Sequence, residues 1–331
     1  MEAPGHSRPG ASRSLPRVRS QAAELTEPDP HPYASRYLVV LNPAAGQANT
    51  DRAVRALAGA FATRRAGFDI LETRGAGDAE EMARMAARVG YRAVVAVGGD
   101  GTVGEVITGL AGTGVPLGII PKGTGNQLAA NLGIPLGVEA AVEVVVNGRA
   151  APIDLGRLAD GRYFAVTAGA GWDGAIMAAA TRELKDRWGF GAYLYAGLRT
   201  GITPPSTLYR ITADGETLEV NAAMVLVANM GQFASRFLSV GFSIGPGVSF
   251  QDGKLDVCIF APRNLTDVAA MLWRMARRRY AGDDRLIYLQ AAEIHIETDS
   301  PVVTESDGEP IGVTPLSVRA VPSGAHVLVP A

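Results

Sequence analysis

Three glycine-rich segments of this chain have the residues to hold a polyanion. Gly98-Gly99-Asp100-Gly101-Thr102 follows the apolar run Ala93 to Val97 and opens the apolar-periodic stretch Val103 to Leu110. Glycine lets a backbone come close to a bulky anion because no Cβ intervenes. The N–H groups at a helix start favour negative charge. A carboxylate inside such a turn makes chemical sense with a divalent cation or a reacting hydroxyl between it and a phosphate. The combination points to phosphoryl transfer. Asn42-Pro43-Ala44-Ala45-Gly46 ends an earlier apolar run and, taken alone, reads as an ordinary strand-to-helix loop. Pro121-Lys122-Gly123-Thr124-Gly125-Asn126 offers N–H groups, the Thr124 hydroxyl and the Asn126 amide. A Walker A loop is absent, since Gly-Lys never precedes Ser or Thr at the required spacing. The Gly-x-Gly-x-x-Gly pattern at 169–174 lacks a surrounding βαβ unit with a ribose-binding carboxylate, so a dinucleotide fingerprint is rejected.

The elements that must position these turns alternate in period over residues 36–155. Strand-like runs at Tyr37–Leu41, Phe68–Leu71, Ala93–Val97 and Leu117–Ile120 are separated by helical patterns. Thr50 reads as the cap of a helix carrying Val54, Leu57 and Phe61. Asp78–Val89 reads as a helix with Met82, Met85 and Val89 on one face and Gly90 as its C-cap. The rhythm predicts an open, mostly parallel sheet covered on both faces, a three-layer α/β domain with the glycine-rich turns at the carboxyl ends of its strands. From about residue 156 strand signals dominate: Tyr163–Thr167, Leu208–Thr212, Thr217–Val227, Lys254–Phe260, Leu286–Gln290 and Ile294–Thr298. Asp214-Gly215 marks a hairpin between two of them. Helical stretches interrupt at Trp172–Leu184 and Leu265–Tyr280. This half is expected to be an antiparallel β-sandwich, with last strands near Leu316–Arg319 and Val327–Val329 packing on either half. The expected division is a disordered tail over 1–34, an α/β domain over 35–155 and a sandwich domain over 156–331.

Bulk properties narrow the class. With 331 residues, 47% of them hydrophobic, the chain can build a large core, and its net charge of −2 gives no footprint for nucleic acid. The single cysteine, Cys258, lies in an apolar run and reads as a buried, inert thiol suited to a reducing cytosol. No stretch reads as a membrane-spanning helix or a signal peptide. Residues 1–34 are rich in Pro, Ser, Arg and Gly and carry no assignable function.

Taken together, the three turns make a specific pattern. The order Asn-Pro-x-x-Gly, Gly-Gly-Asp-Gly-Thr, Pro-x-Gly-Thr-x-Asn resembles the diacylglycerol kinase and sphingosine kinase superfamily, in particular its soluble bacterial lipid kinases. Ile153-Asp154-Leu155-Gly156, Gly171-Trp172-Asp173 and Asp307-Gly308-Glu309 extend the likeness from about residue 36 to the C-terminus. The resemblance implies an NAD-kinase/diacylglycerol-kinase-like nucleotide domain beside a β-sandwich domain that takes the lipid. It implies ATP as co-substrate, Mg2+ as cofactor, and transfer of the γ-phosphate to a lipid hydroxyl, with diacylglycerol going to phosphatidic acid. By the same resemblance the nucleotide is bound by Asn42, Pro43, Ala44, Ala45, Gly46, Thr73, Gly98, Gly99, Asp100, Gly101, Thr102, Val103, Gly104 and Thr124. Glu309 is the implied general base, although Asp-Gly-Glu also reads as a bare turn, as it does at 214–216. Asp100 is the other candidate for catalysis and, with Asp154, belongs to the catalytic magnesium network. Ser249, Asp252 and Lys254 resemble a second, structural magnesium loop, which reads equally as a polar turn. Two departures stand out: Gly104 where the family usually has Asn, and Gln127 where many relatives have Asp.

Alternatives remain. NAD kinase shares Gly-Gly-Asp-Gly-Thr, but its Thr-Pro-Thr-Gly-Ser loop is missing, Thr314-Pro315 being too little. A non-catalytic nucleotide- or lipid-binding protein of the same fold is kept open by Gly104 and Gln127. The helix Leu265–Tyr280 reads as core-facing with a solvated basic end, or as a peripheral contact through Trp273, Arg274, Arg277, Arg278 and Arg279 with an anionic membrane. The expected location is cytoplasmic with peripheral membrane association, and a homodimer is left open.

Overall fold

The computed structural model describes residues 19–20, 33–45, 47–171, 206–233, 242–243, 245–277, 279 and 284–331. After β1 (Arg19–Ser20), strands and helices alternate: β2 (Arg36–Leu41), α1 (Gln47–Thr63), β3 (Gly67–Glu72), α2 (Asp78–Val89), β4 (Ala93–Gly98), α3 (Asp100–Leu110), β5 (Leu117–Pro121), α4 (Gln127–Asn131) and α5 (Val138–Asn147). β4 and β5 are buried at every position and β2 at all but Arg36. Unbroken apolar strands of this kind need cover on both faces, which parallel sheets obtain from their crossover helices. The order is β3-β2-β4-β5, all parallel, with Val39 opposite both Ile70 and Val95, and Val95 opposite Gly118. The chain winds one way through α1 and back through α2 and α3, so right-handed crossovers set α1 with α5 on one face and α2 with α3 on the other.

Local expectations are corrected in three places. Thr50 is not a cap: α1 begins at Gln47, and Thr50 is buried within its first turn. In α2 the buried side chains are Ala79, Met82, Ala83 and Ala86, while Met85 and Val89 are exposed. The reason is the closeness of α3, which admits only small side chains between the helices; a Cβ on Gly109 would meet the Glu80 carbonyl oxygen at 2.4 Å. In the expected disordered tail, Arg19 and Ser20 pair with Ile70 and Asp69 on the edge of β3, where an open strand edge offers unpaired N–H and C=O groups. Gly90 caps α2 in the left-handed conformation, as its sequence position predicts.

The remaining strands are β6 (Arg149–Leu158), β7 (Tyr163–Phe164), β8 (Thr167–Gly171), β9 (Thr207–Ala213), β10 (Glu216–Ala222), β11 (Met224–Ala228), β12 (Gln232–Phe233), β13 (Phe242–Ser243), β14 (Leu255–Phe260), β15 (Leu286–Ala291), β16 (Glu293–Thr298), β17 (Val303–Ser306), β18 (Glu309–Val313) and β19 (Leu316–Val329), with α6 (Leu265–Ala276) after β14. β15-β14-β11-β8-β17-β18 form one antiparallel sheet. It packs against β6, β9, β16 and β19, whose side chains share a core with Val225, Val227, Val257 and Ile259. On its other face Leu226, Cys258 and Phe260 meet Met271 and Met275 of α6. Burial pushes the Cys258 thiol up to about 12, consistent with an inert group. Asp214-Gly215 forms the expected hairpin, with positive φ at both residues. The single strand expected over Thr217–Val227 is instead β10 and β11 in different sheets, with a corner at Ala223. The helix expected at Trp172–Leu184 lies outside the described residues. α6 ends at Ala276, short of Tyr280.

The first sheet does not stop at β5. β19 pairs in parallel with it at Val327 and Leu117, and antiparallel with β6 in two runs separated by a bulge between Val321 and Ala325. β6 runs unbroken across residues 155 and 156. The two final strands expected from the sequence are one, β19, and it serves both halves.

Gly109 gives a test of the helix packing. Gly109→Ala gains about 1 kcal/mol in helix propensity, but a Cβ set against backbone forces the helices apart at about 1–3 kcal/mol. A net loss is expected, seen as a lower urea midpoint; a midpoint at or above wild type would contradict the α2–α3 contact.

Candidate active site

Parallel strands in register bring their following loops side by side. The Asn42 N–H donates to Val97 O at 3.0 Å, the Thr73 N–H to Leu41 O at 2.9 Å, and the Lys122 N–H to Gly98 O at 2.8 Å. Residues 42–45, 73–77, 98–102 and 121–126 therefore share one edge of the sheet, the carboxyl edge where open α/β sheets bind ligands. Gly46 is outside the described residues. The second and third glycine-rich turns touch: a Cβ on Gly123 would meet the Gly99 Cα at 2.7 Å, and one on Gly99 would meet the Gly123 Cα at 3.1 Å.

Several expected ligand contacts are also internal ties. The Asn42 side chain donates to Thr102 Oγ1 at 2.9 Å and accepts from the Ala44 N–H at 3.0 Å, fastening the first turn to the second. Thr102 and Val103 are buried, while Ala44, Gly101 and Thr124 are exposed and Pro43, Thr73 and Gly104 are half-buried. An added Cβ at Gly104 would meet nothing within 4 Å, so the departure from asparagine leaves open space. The Asn126 amide is not offered outward, as its sequence position suggests. It accepts from the Gly123 N–H at 2.9 Å and donates to Gly123 O at 2.6 Å, with Asn126 at φ +47°, and so closes its own turn. Glu105 accepts from the N–H groups of Gly77 and Ala79, holding the start of α2.

Asp100 opens α3, and its carboxylate accepts from the Gln127 N–H at the start of α4 at 2.7 Å. Burial raises its pKa above the ordinary range, against the pull of the N–H groups of Gln127, Asn126 and Leu128. A cation beside it would reverse that shift. Among the described residues no three His, Cys, Asp or Glu side chains cluster as a metal cage. The donor chemistry at Asp100 fits magnesium, which commonly takes one or two carboxylates and completes its shell with water and substrate phosphate.

Asp154 is buried, and its two oxygens accept from the Gly253 and Ser323 N–H groups, each at 2.7 Å. It thereby anchors the 249–254 turn and the bulge of β19. In that turn Asp252 is exposed, with Oδ1 accepting from the Lys254 N–H at 3.0 Å, and the Ser249 hydroxyl accepts from the Gln251 N–H at 3.3 Å.

Asp307-Gly308 forms the tip of the β17–β18 hairpin, with φ of +47° and +84°. Glu309 follows, exposed and opposite Ser306. The hairpin is pinned by Asp307, which accepts from the N–H groups of Ala165 (3.0 Å), Val166 (2.9 Å) and Thr167 (2.9 Å). These three N–H groups turn toward Asp307, which is why the strand expected over Tyr163–Thr167 is divided into β7 and β8. Burial raises the Asp307 carboxyl to about 6, those N–H groups opposing it and the negative charge of Asp100 adding to it. β7, which precedes the residues that Asp307 holds, packs against α3. Asn229 was not foreseen from the sequence. Fully buried, it donates to Asp154 O at 2.7 Å and Ala165 O at 2.8 Å, joining two segments 11 residues apart. No motif marks it.

Glycine-rich turns meeting at the carboxyl edge of a parallel sheet, with an antiparallel sandwich joined to it through β6 and β19, make a two-part fold shared with known lipid kinases. Residues 36–158 match the diacylglycerol kinase catalytic domain, and residues 166–329 match the YegS C-terminal NAD kinase beta sandwich-like domain. A diacylglycerol kinase of Mycobacterium tuberculosis strain H37Rv is 32% identical over 84% of this chain and 91% of its own length. One of Bacillus subtilis strain 168 is 31% identical over 77% of this chain and 83% of its own. The crystal structure of a diacylglycerol kinase from Bacillus anthracis str. Sterne aligns with TM-score 0.70 at 26% identity, covering 90% of this chain and 98% of that one. The chain belongs to the diacylglycerol kinase family of lipid kinases.

Asp307 sets a pH dependence whose sign is fixed. Its folded-state carboxyl, about 6, lies above the ordinary 3.8. Between those values the folded chain keeps a proton that the unfolded chain has released, so this group's contribution to stability declines as pH rises through the window. Asp307→Asn should shrink the difference in urea midpoint between about pH 4 and pH 7. An undiminished difference would remove Asp307 as its source.

Proposed function

We propose that the protein transfers the γ-phosphate of ATP, with magnesium, to a lipid hydroxyl, and that the acceptor is diacylglycerol and the product phosphatidic acid. The observation that supports this reading is the meeting of the Gly98–Thr102 and Pro121–Asn126 turns at the carboxyl edge of the sheet, with the Asp100 carboxylate bonded across them to the Gln127 N–H. Diacylglycerol enters from the names of the relatives. In this reading the phosphates lie over Gly98–Thr102, and the rest of the nucleotide is bounded by Asn42–Gly46, Thr73, Val103, Gly104 and Thr124. Asp100 would hold the magnesium, whose charge neutralises phosphate oxygens when bound. Asp154 acts through the backbone it fastens. Glu309 accepts the proton of the lipid hydroxyl. Positioning and fixed charge supply most of the rate in such transfers. Ser249 and Lys254 carbonyls with the Asp252 carboxylate would hold a second, structural magnesium, a reading supported by the exposed Asp252 oxygen and by the tie from Gly253 to Asp154.

We place the enzyme in peripheral contact with the cytoplasmic membrane surface, where a lipid acceptor would be met. No helix among the described residues is long and apolar enough to cross a membrane. Trp273, 52% exposed, supports the peripheral contact, with the guanidinium groups of Arg277 and Arg279 each 5.7 Å from its ring centre. An amphipathic ring beside cations suits an anionic lipid interface.

Incubation with radiolabelled ATP and an extracted lipid pool should label diacylglycerol in a magnesium-dependent way. Label in NAD, or in no acceptor, would defeat the proposal. Glu309→Ala should cut transfer by roughly 10²-fold or more while ATP affinity is retained; full activity would exclude Glu309 as base. Replacing Arg277 and Arg279 by Gln should weaken sedimentation with phosphatidylglycerol vesicles, each arginine being worth about 1 kcal/mol. Equal sedimentation would dispose of this contact.

A further inference from the structure

We infer that Lys122 supplies the cation that grips the nucleotide's phosphate chain between the first and second turns, an assignment that rests on the ATP reading above. Within Asn42–Gly46, Gly98–Gly104 and Pro121–Asn126 it is the single basic residue, and lysine occurs elsewhere only at 185 and 254. The start of α1, Gln47-Ala48-Asn49-Thr50, carries no cation, and the next one along that helix, Arg52, is paired with Glu139 at 2.6 Å. Arg74, in the loop after β3, is exposed.

The backbone of Lys122 is held at the second turn. Its N–H is bonded to Gly98 O at 2.8 Å, which starts the side chain at the base of the Gly98–Thr102 turn. The chain then crosses to α1, where Nζ donates to the hydroxyl of Thr50. Thr50 is buried in the first turn of α1, just beyond the Asn42–Ala45 loop. The side chain therefore links the base of the second turn to the first turn of α1, the helix that follows the Asn42–Ala45 loop. Burial lowers its pKa, with Asp51 opposing. A half-buried ammonium beside helix N–H groups brings like-signed groups together, and an anion between them turns that repulsion into attraction. A lysine there has a use when phosphate is present.

The test compares ATP, ADP and adenosine binding by calorimetry for wild type, Lys122→Met and Lys122→Gln. The glutamine variant retains a donor for Thr50, so it stands in should the methionine variant fold poorly. Loss of a charge-assisted contact predicts ATP and ADP binding weakened roughly 10- to 100-fold, with adenosine binding unchanged and Lys122→Arg close to wild type. ATP binding at wild-type strength in both neutral variants would overturn the assignment while leaving the ATP reading intact. Equal losses for adenosine and ATP would also overturn it, since they would mark a structural role. No saturable ATP binding by wild type would overturn it together with the ATP reading.

Discussion

Two turns on neighbouring strands can lie in contact only where both lack a side chain, and Gly99 and Gly123 meet that condition. Much of the site follows from it. The closeness of the turns brings Asp100, the residue after Gly99, within reach of the Gln127 N–H beyond the other turn. It also lets the Lys122 N–H bond Gly98 O, from which the lysine side chain sets out. A side chain at either glycine would separate α3 from α4 and disperse the N–H groups that now face one edge.

The second half is tied to the first, and its own hairpin is held in place, by polar side chains that bond backbone groups of distant segments. Asp154 takes Gly253 and Ser323, and Asp307 takes residues 165–167, while Asn229 bridges Asp154 and Ala165. Buried polar links of this type add less stability than apolar packing of equal volume, but they fix position when satisfied. Position matters here, because phosphoryl transfer depends on placing an acceptor against a phosphate.

The alternation of strands and helices before residue 150 was legible because unbroken apolar runs and helical periodicity are local properties. The antiparallel half was legible as a class for the same reason. What remained hidden was non-local. Nothing around Thr217–Val227 announces a corner, since alanine at 222 and 223 fits either sheet. Met85 and Val89 have the spacing of a buried stripe, yet the nearness of α3 leaves them outside. The three turns were found from glycine and acidic residues, but Asn126 was assigned an outward amide that its own turn consumes. Asp307 was visible as half of a tight turn. Its hold on residues 165–167 depends on a contact 140 positions away, beyond any local pattern.

The long pairing of β6 with β19 bears on dissection of the molecule. Each strand belongs to both halves, and β19 comes last in the sequence yet lies beside β5, near the middle of the sheet. A fragment cut after residue 158 would expose the whole flank of β5 and β6, a template for intermolecular strand addition. The first sheet is therefore closed only after β19 has been made and has paired, so its maturation waits on a strand encoded some two hundred residues beyond β5.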